Sequence, residues 1–515
     1  MRGGRSSAAE RAGGATSSLS VRAQDSNEMA ERGGFVLKSP FVRAVRKCVQ
    51  SRTRVTAAAC ALAFLTGACA PAKEESTADT IAVGALLPFT GKEAALGRNM
   101  EQALLLAVHD VNEAGGIAGQ KLRLVTRDSN SGSQRGLEQL LQLLYTDQVK
   151  YLIGPEETDL ATQIVPDVKG LDILEILPGF AAPSIEHPGS HGGWIRLAPT
   201  TNSLGCAMGK QVVRDGGVRV NALVAADDYD SSLASDFLGH ITAVGGTPLP
   251  SVTVAVGASS YVHELDRVFD FGADETLLTV EPESAATIVT EWTVGGRRGG
   301  WYLSPLLRAD VFLENIPFGV LDGVHGLSPS GSLPSECAPL MPASAGARTA
   351  GAAPPADLGA GGAPSLDAAP ASDPGNDELR CTHANASAFS AHFADYWQGD
   401  RPFAASNYYY DAVVLLALGL SKGFAEEHAL PTTRALQADI RELGASDAQP
   451  VRWNDLREPF TEVRLGTDVR YVGAAAEYDF DVYGAAQHTV FDTWTIANDD
   501  FVVTSTFEPV CPQSF

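Results

Sequence analysis

Thr80-Ile81-Ala82-Val83-Gly84-Ala85-Leu86-Leu87-Pro88-Phe89-Thr90-Gly91 is the stretch that decides how this 515-residue chain folds. Thr80 to Leu87 is an apolar run of strand length, stopped by Pro88, which cannot donate to a ladder. Downstream, Met100, Ala103, Leu104, Ala107, Val108 and Val111 recur at helical spacing, and Gly115-Gly116 ends that helix at little cost. Lys121 to Thr126 alternates as a strand, Leu137 to Leu144 reads as helix, and Tyr151 to Ile153 as a short buried strand. The period repeats to about residue 200. Strand, helix, strand in this order implies parallel pairing through right-handed crossovers, hence an α/β, doubly wound sheet.

A second series follows, with strand candidates at Val220 to Ala225, Leu249 to Val256, Thr276 to Val280 and Trp301 to Leu303, and a helix at Ser231 to Val244. It predicts a second open α/β lobe. Residues 331–380 break the pattern, because 33 of these 50 positions are Ala, Gly, Pro or Ser. They read as a low-complexity insertion without a packed core of its own. Helical spacing resumes at Phe389 to Trp397 and at Tyr409 to Leu420. The tail, Tyr478 to Tyr483 and Val490 to Ile496 around a turn at Gly484 to Gln487, reads as hairpins.

The N-terminal part has another logic. Residues 1–40 are rich in Gly, Ala, Ser and Arg, too poor in apolar surface to order, and Met29 is a candidate true start. Within 41–69, five basic residues from Arg43 to Arg54 precede the apolar run Val55 to Leu65, then Thr66-Gly67-Ala68-Cys69 and a polar stretch. A run this short cannot span a hydrocarbon core and reads as a signal-peptide core. Leu65 to Cys69 resembles a bacterial lipobox, which implies lipidation of Cys69; an ordinary secretory cut near Ala68 or Ala70 is the alternative.

Charge divides at the same place. The whole chain carries a net charge of −24, but residues 1–68 are basic, leaving 27 basic and 58 acidic residues beyond, a net −31. Such a body repels phosphate, which argues against nucleic acid as a partner. Past the signal, Cys206, Cys337, Cys381 and Cys511 permit two disulfides in three connectivities in an oxidising compartment. Cys337 and Cys381 flank the insertion and are candidates to tie off its base. No cysteine has the paired spacing of a zinc site, so no metal is expected.

Four motifs occur in order: Val83-Gly84-Ala85-Leu86-Leu87-Pro88-Phe89-Thr90-Gly91, Val111-Asn112-Glu113-Ala114-Gly115-Gly116-Ile117-Ala118-Gly119, Leu122 to Asp128, and Ile153-Gly154-Pro155. Together they resemble the opening of the type I periplasmic binding proteins, the Leu/Ile/Val-binding family that feeds ABC importers. Tyr408 to Leu416 is similar to that family's late Tyr-Asp-Ala helix. The resemblance implies two α/β lobes joined by a hinge, with a small-molecule solute closed in the cleft between them. It places lobe one at 79–199 plus 324–460 and lobe two at 200–323 plus 461–515.

Ligands of open α/β sheets sit at the carboxyl ends of strands. The cleft candidates are therefore Phe89 and Thr90, Thr158, Phe180 and Ala181, Tyr229 and Glu281. Thr158 matches the family's carboxylate-binding hydroxyl and equally suits a helix cap. The second hydroxyl of the family grip falls at Ala181, which has none, and Tyr229 is followed by Asp230 instead of glycine. Glu156, Glu157, Asp159, Asp227, Asp228, Asp230, Glu281 and Glu283 crowd the strand ends against Lys92, Arg127 and Arg308. If most face the cleft, a neutral or cationic ligand is expected; if they line solvated rims, the charge says nothing about the ligand.

No Gly-x-Ser-x-Gly elbow, phosphate loop or His-Glu-x-x-His is present, so no catalytic residues, cofactor or enzyme activity are expected. The expectation is a monomeric, lipid-anchored solute receptor on the periplasmic side of the cell envelope, working with an ABC permease complex. The alternative is an outer-membrane lipoprotein that uses the same fold for protein contact.

Overall fold

The alternation of strands and helices predicted from Thr80 onward is built as two sheets. The computed structural model describes residues 80–157, 160–161, 171–179, 193–297, 299–333, 337–339, 379–381, 383–445, 447–487, 489–509 and 511. The segment expected to be a signal, with Cys69, the greater part of the insertion, and Thr158, Asp159, Phe180 and Ala181 lie outside the described residues. Glu74–Phe515 forms one compact unit.

The first lobe begins with β1 (Thr80–Leu87), α1 (Ala94–Glu113), β2 (Lys121–Asp128), α2 (Ser133–Leu141), β3 (Tyr151–Ile153), β4 (Leu174–Leu177) and β5 (Trp194–Arg196). Its sheet has the order β2-β1-β3-β4-β5, and every pairing is parallel. Parallel strands are covered on both faces, which explains why β1 is apolar almost throughout. Ile81, Val83, Ala85 and Leu87 point into the large core shared with α1, while Leu86 joins Leu140, Leu143 and Leu152 on the other face. At the end of β3, Gly154 has φ 82°, and a Cβ there would lie 2.7 Å from the Leu86 carbonyl oxygen. Only glycine meets both conditions.

The second lobe runs through α3 (Thr201–Arg214), β6 (Arg219–Ala225), α4 (Asp228–Ala243), β7 (Thr247–Pro248), β8 (Val252–Val254), α5 (Val262–Asp270), β9 (Glu275–Thr279), α6 (Pro282–Val294), β10 (Gly300–Leu303), α7 (Asp310–Leu313) and β11 (His325–Pro329). The chain then forms a small ladder, β12 (Cys337–Pro339) against β13 (Leu379–Cys381), whose backbone register sets Cys337 opposite Cys381. Back in lobe one come α8 (Ala384–Tyr396), α9 (Ser406–Glu427), α10 (Thr433–Glu442), β14 (Gln449–Arg452), α11 (Arg457–Arg464) and β15 (Val469–Val472). Finally β16 (Phe491–Ala497) and β17 (Asp500–Phe507) complete the second sheet, of order β17-β16-β11-β10-β9-β6-β7, with β8 also on β6. α9 is buried from Ser406 to Ser421 because apolar residues surround its whole circumference, the mark of a central helix.

Three details differ from the sequence reading. β11 pairs with β10 and β16, so His325–Pro329 lies in the second sheet and not in lobe one. β15 pairs with β14, and Tyr471 is buried in the core around α9, so the chain returns to lobe two near Val490 and not at residue 461. The terminal hairpin is Phe491–Phe507, one strand later than expected. Tyr478 to Tyr483 makes only the isolated bridge Phe480–Ala486, because Tyr478 is spent on a hydrogen bond to Asp411. The structure also joins Cys206 of α3 to Cys511 in a disulfide.

Candidate functional site

Parallel sheets expose all their strand-end loops on one side, and here the two lobes turn those sides toward each other. After β1 the loop carries Lys92 and Glu93; after β3 it carries Glu156 and Glu157. From lobe two come Asp227 after β6, with Tyr229 and Asp230 in the first turn of α4, and Glu281 after β9. Lys92 Nζ lies 3.3 Å from Asp227 Oδ2 and 3.3 Å from Glu93 Oε1, so one ammonium bridges the lobes.

Two of these acids have a plain structural duty. Asp227 caps α4 by accepting from the Asp230 N–H at 2.9 Å, and Glu281 caps α6 by accepting from the Ser284 N–H at 3.1 Å. A carboxylate at a helix N-terminus meets unsatisfied N–H groups and the positive end of the dipole. Each duty uses one oxygen. The other oxygen of Asp227 meets Lys92, while Glu281 Oε2 is buried with no hydrogen-bond partner among the described residues, as are Glu93 Oε2 and Glu157 Oε2.

The remaining acids are held from behind. The Tyr409 hydroxyl of α9 donates to Glu156 Oε2, Ser129 donates to Glu157, and Thr279 donates to Asp230. A Cβ at Gly179 would collide with the Glu156 carboxylate, so glycine there makes room for it. Burial pushes Glu156 up to about 8, against the Tyr409 hydrogen bond, and the charges of Glu93 and Glu157 add to the rise. Burial and Glu93 push Glu157 up to about 7. Burial, then Asp227, holds Asp230 well above the carboxylate range; burial raises Glu93 and Glu281 too, with Lys92 opposing. Burial works against the Lys92 charge, yet Glu93, Asp227 and Asp230 outweigh it and raise that ammonium.

The acids that the sequence crowded at strand ends therefore separate. Glu156, Glu157, Asp227, Asp230 and Glu281 turn inward; Asp228 and Glu283 are exposed on the rim. Tyr229 is buried at the cleft, where burial raises its phenol and the charges of Asp230, Glu156 and Asp227 add to this. Thr90 is engaged elsewhere: its hydroxyl lies 2.6 Å from Asp128 Oδ2 and 2.7 Å from Asn130 Oδ1, and the Phe89 and Thr90 N–H groups donate to Asp128 Oδ1. Phe89 packs partly buried against the core. Arg127 pairs with Asp147, and Arg308 with Ser328 and Asp492, so neither balances the acids.

Sequence reasoning missed Glu93 and Tyr409. Glu93 follows Lys92 directly and was readable as a member of the same loop. Tyr409 sits inside an apolar helix, and nothing local says that its hydroxyl crosses to Glu156.

Residues 80–328 match the family model described as periplasmic binding protein. Leu/Ile/Val-binding protein homolog 1 of Brucella abortus (strain 2308) is 29% identical over 109 residues, 21% of this chain and 29% of the relative. An amino acid binding protein of Pseudomonas aeruginosa is 24% identical over 168 residues, 32% of this chain and 44% of the relative. The matched part thus spans under half the length of these curated relatives. Among solved structures, the branched-chain amino acid transporter substrate-binding protein LivJ of Streptococcus pneumoniae, in complex with isoleucine, superposes with a TM-score of 0.60 at 15% identity, over 84% of this chain and 100% of that one. An ABC transporter solute-binding protein of R. palustris in complex with benzoate gives 0.59 at 16% identity, over 84% and 97%. The chain has the two-lobed α/β fold of the type I periplasmic binding proteins. Its residues 80–328 carry the sequence pattern of that family.

Proposed function

We propose that this protein is an exported solute receptor of an ABC-type importer, binding a small amino-acid-like or other polar solute between its lobes. The observation that carries this reading is the cleft itself: strand-end loops of both lobes meet across Lys92 and Asp227, and three buried carboxylate oxygens there have no partner among the described residues. A solute that fills the cleft favours the closed arrangement, and a permease reads the closed form. The receptor works as a monomer, held to the membrane by a lipid on Cys69. The cleft-lining roles of Tyr229 and Glu281, and of Thr158, Phe180 and Ala181, belong to this proposal, as does a disulfide between Cys337 and Cys381 at the base of the insertion. Among the described residues no helix is long and apolar enough to cross a membrane.

A thermal-shift library of amino acids, organic acids, amines and amides tests the receptor. A binder that prefers the folded closed form raises the melting temperature as RT ln(1 + [L]/Kd). Saturable stabilisation by one chemical class supports the reading, and a flat response across all classes overturns it. Mass spectrometry of the native protein tests the anchor: a diacylglyceryl adduct on an N-terminal Cys69 supports it, and an unmodified mature N-terminus overturns it.

A further inference from the structure

The acids of the cleft point to a ligand class, an inference that rests on the solute-receptor reading. Glu93, Glu156, Glu157, Asp227, Asp230 and Glu281 come to the cleft from both lobes; Lys92 pairs with Glu93 and Asp227, and its charge opposes the rise of Glu93, Glu157, Asp230 and Glu281. Two of the acids are helix caps, and capping explains one oxygen of each. It does not explain Glu281 Oε2. That side chain is 4% exposed, it senses Lys92 across the cleft, and its second oxygen has no partner among the described residues. Glu93 Oε2 and Glu157 Oε2 repeat the situation on the opposite wall. A buried acceptor without a donor is costly, and a buried carboxylate more so. Three such oxygens on two walls define acceptor positions for a donor-rich guest.

We propose that the cleft binds an organic cation without a free carboxylate, of the di- or polyamine or guanidino-amine class. An ammonium supplies three donors and a guanidinium five, with no acceptor to repel the walls. More than one ammonium or guanidinium group follows from the three acceptor oxygens on two walls. The acids come from loops after four strands on two lobes, and among the described residues no group of three metal-ligating side chains is arranged to hold one metal ion. Charges spaced by methylenes match such a wall better than one compact ion. Burial favours the protonated form of Glu156, Glu157 and Asp230, and an ammonium beside them favours the ionised form and pairs with it, whereas a carboxylate ligand, such as isoleucine or benzoate in the structural relatives, gains no such partner. Lys92 is the resident counterion: its ammonium already occupies the position between Glu93 and Asp227, and the guest's amines take the positions that it does not reach.

Isothermal titration of the purified full chain with spermidine, agmatine, L-leucine and benzoate tests this. Spermidine or agmatine is expected to bind saturably, with affinity falling as salt rises. Glu281→Gln and Glu157→Gln keep an acceptor for Ser284 and Ser129 and so keep the fold; each is expected to weaken amine binding by about tenfold. Binding of leucine or benzoate without either amine overturns the cationic ligand and leaves the solute receptor standing. Amine binding that neither glutamine variant weakens moves the site elsewhere and overturns it as well. Binding of none of the four contradicts the cationic ligand; stabilisation by some other class in the wider thermal-shift library would then preserve the receptor reading, and a flat library would end both.

Discussion

Lys92 Nζ of lobe one and Asp227 Oδ2 of lobe two stand 3.3 Å apart and join the lobes across the cleft. Their side chains are 27% and 22% exposed, so screening limits the pair to about 0.5–1 kcal/mol. Asp227→Asn keeps an acceptor for the Asp230 N–H that caps α4 but loses the charge. It is expected to lower the closed fraction by roughly two- to fivefold, measured by single-molecule energy transfer between dyes on the two lobes. An unchanged closed fraction would show that the pair is incidental to closure.

The cleft acids also set the pH dependence of stability. Glu156 at about 8 and Glu157 at about 7 lie above their ordinary 4.5, so the folded chain keeps protons that the unfolded chain releases from pH 4.5 upward. Where the folded state binds more protons, stability falls as pH rises. The contribution is fully present below about 4.5 and lost by about 8. Buried Glu175, also near 8, adds a slope of the same sign. Melting temperature is therefore expected to fall from pH 5.5 to 8.5, and Glu156→Gln to flatten that fall. A melting temperature that rises over this window would contradict the assignment.

Asp411 explains the Tyr-Asp-Ala motif as an anchor within lobe one. Its fully buried carboxylate accepts from the Tyr471 and Tyr478 hydroxyls at 2.7 and 2.8 Å and from the Ala474 and Ala475 N–H groups, both at 2.8 Å. Burial pushes it up to about 6 even so. Asp411→Asn turns an amide donor toward groups that all donate, and is expected to cost about 2–4 kcal/mol in denaturant unfolding. Loss of less than about 0.5 kcal/mol would contradict the anchoring role.

Cys206 and Cys511, 305 residues apart, tie the C-terminal end of the chain to α3. Replacing both with alanine is expected to cost about 2–4 kcal/mol. A non-reducing peptide map is expected to return Cys206 linked to Cys511 and Cys337 linked to Cys381. Free thiols at 337 and 381 would remove the second bridge.

The first lobe was the more legible half, and the reason is local. β1, α1 and β2 each announce themselves by period and by a stop signal, Pro88 or Gly115-Gly116, and their order fixes parallel pairing. The lobe crossing at β11 was less readable because it depends on a partner distant in sequence, β16. The acids at the strand ends were visible as a composition. Which of them face inward was not, because Asp228 and Asp230 are two residues apart on one helix and only their orientation separates a rim residue from a buried one. The Tyr409 to Glu156 contact spans 253 residues and leaves no local mark.

Closure of the lobes on a cationic guest is the central claim, and small-angle X-ray scattering of the full chain with and without spermidine tests it most directly. A saturable fall in the radius of gyration, whose midpoint Glu281→Gln moves to about tenfold higher spermidine, is the predicted result. An unchanged radius at saturating spermidine, with L-leucine producing the compaction instead, would contradict it.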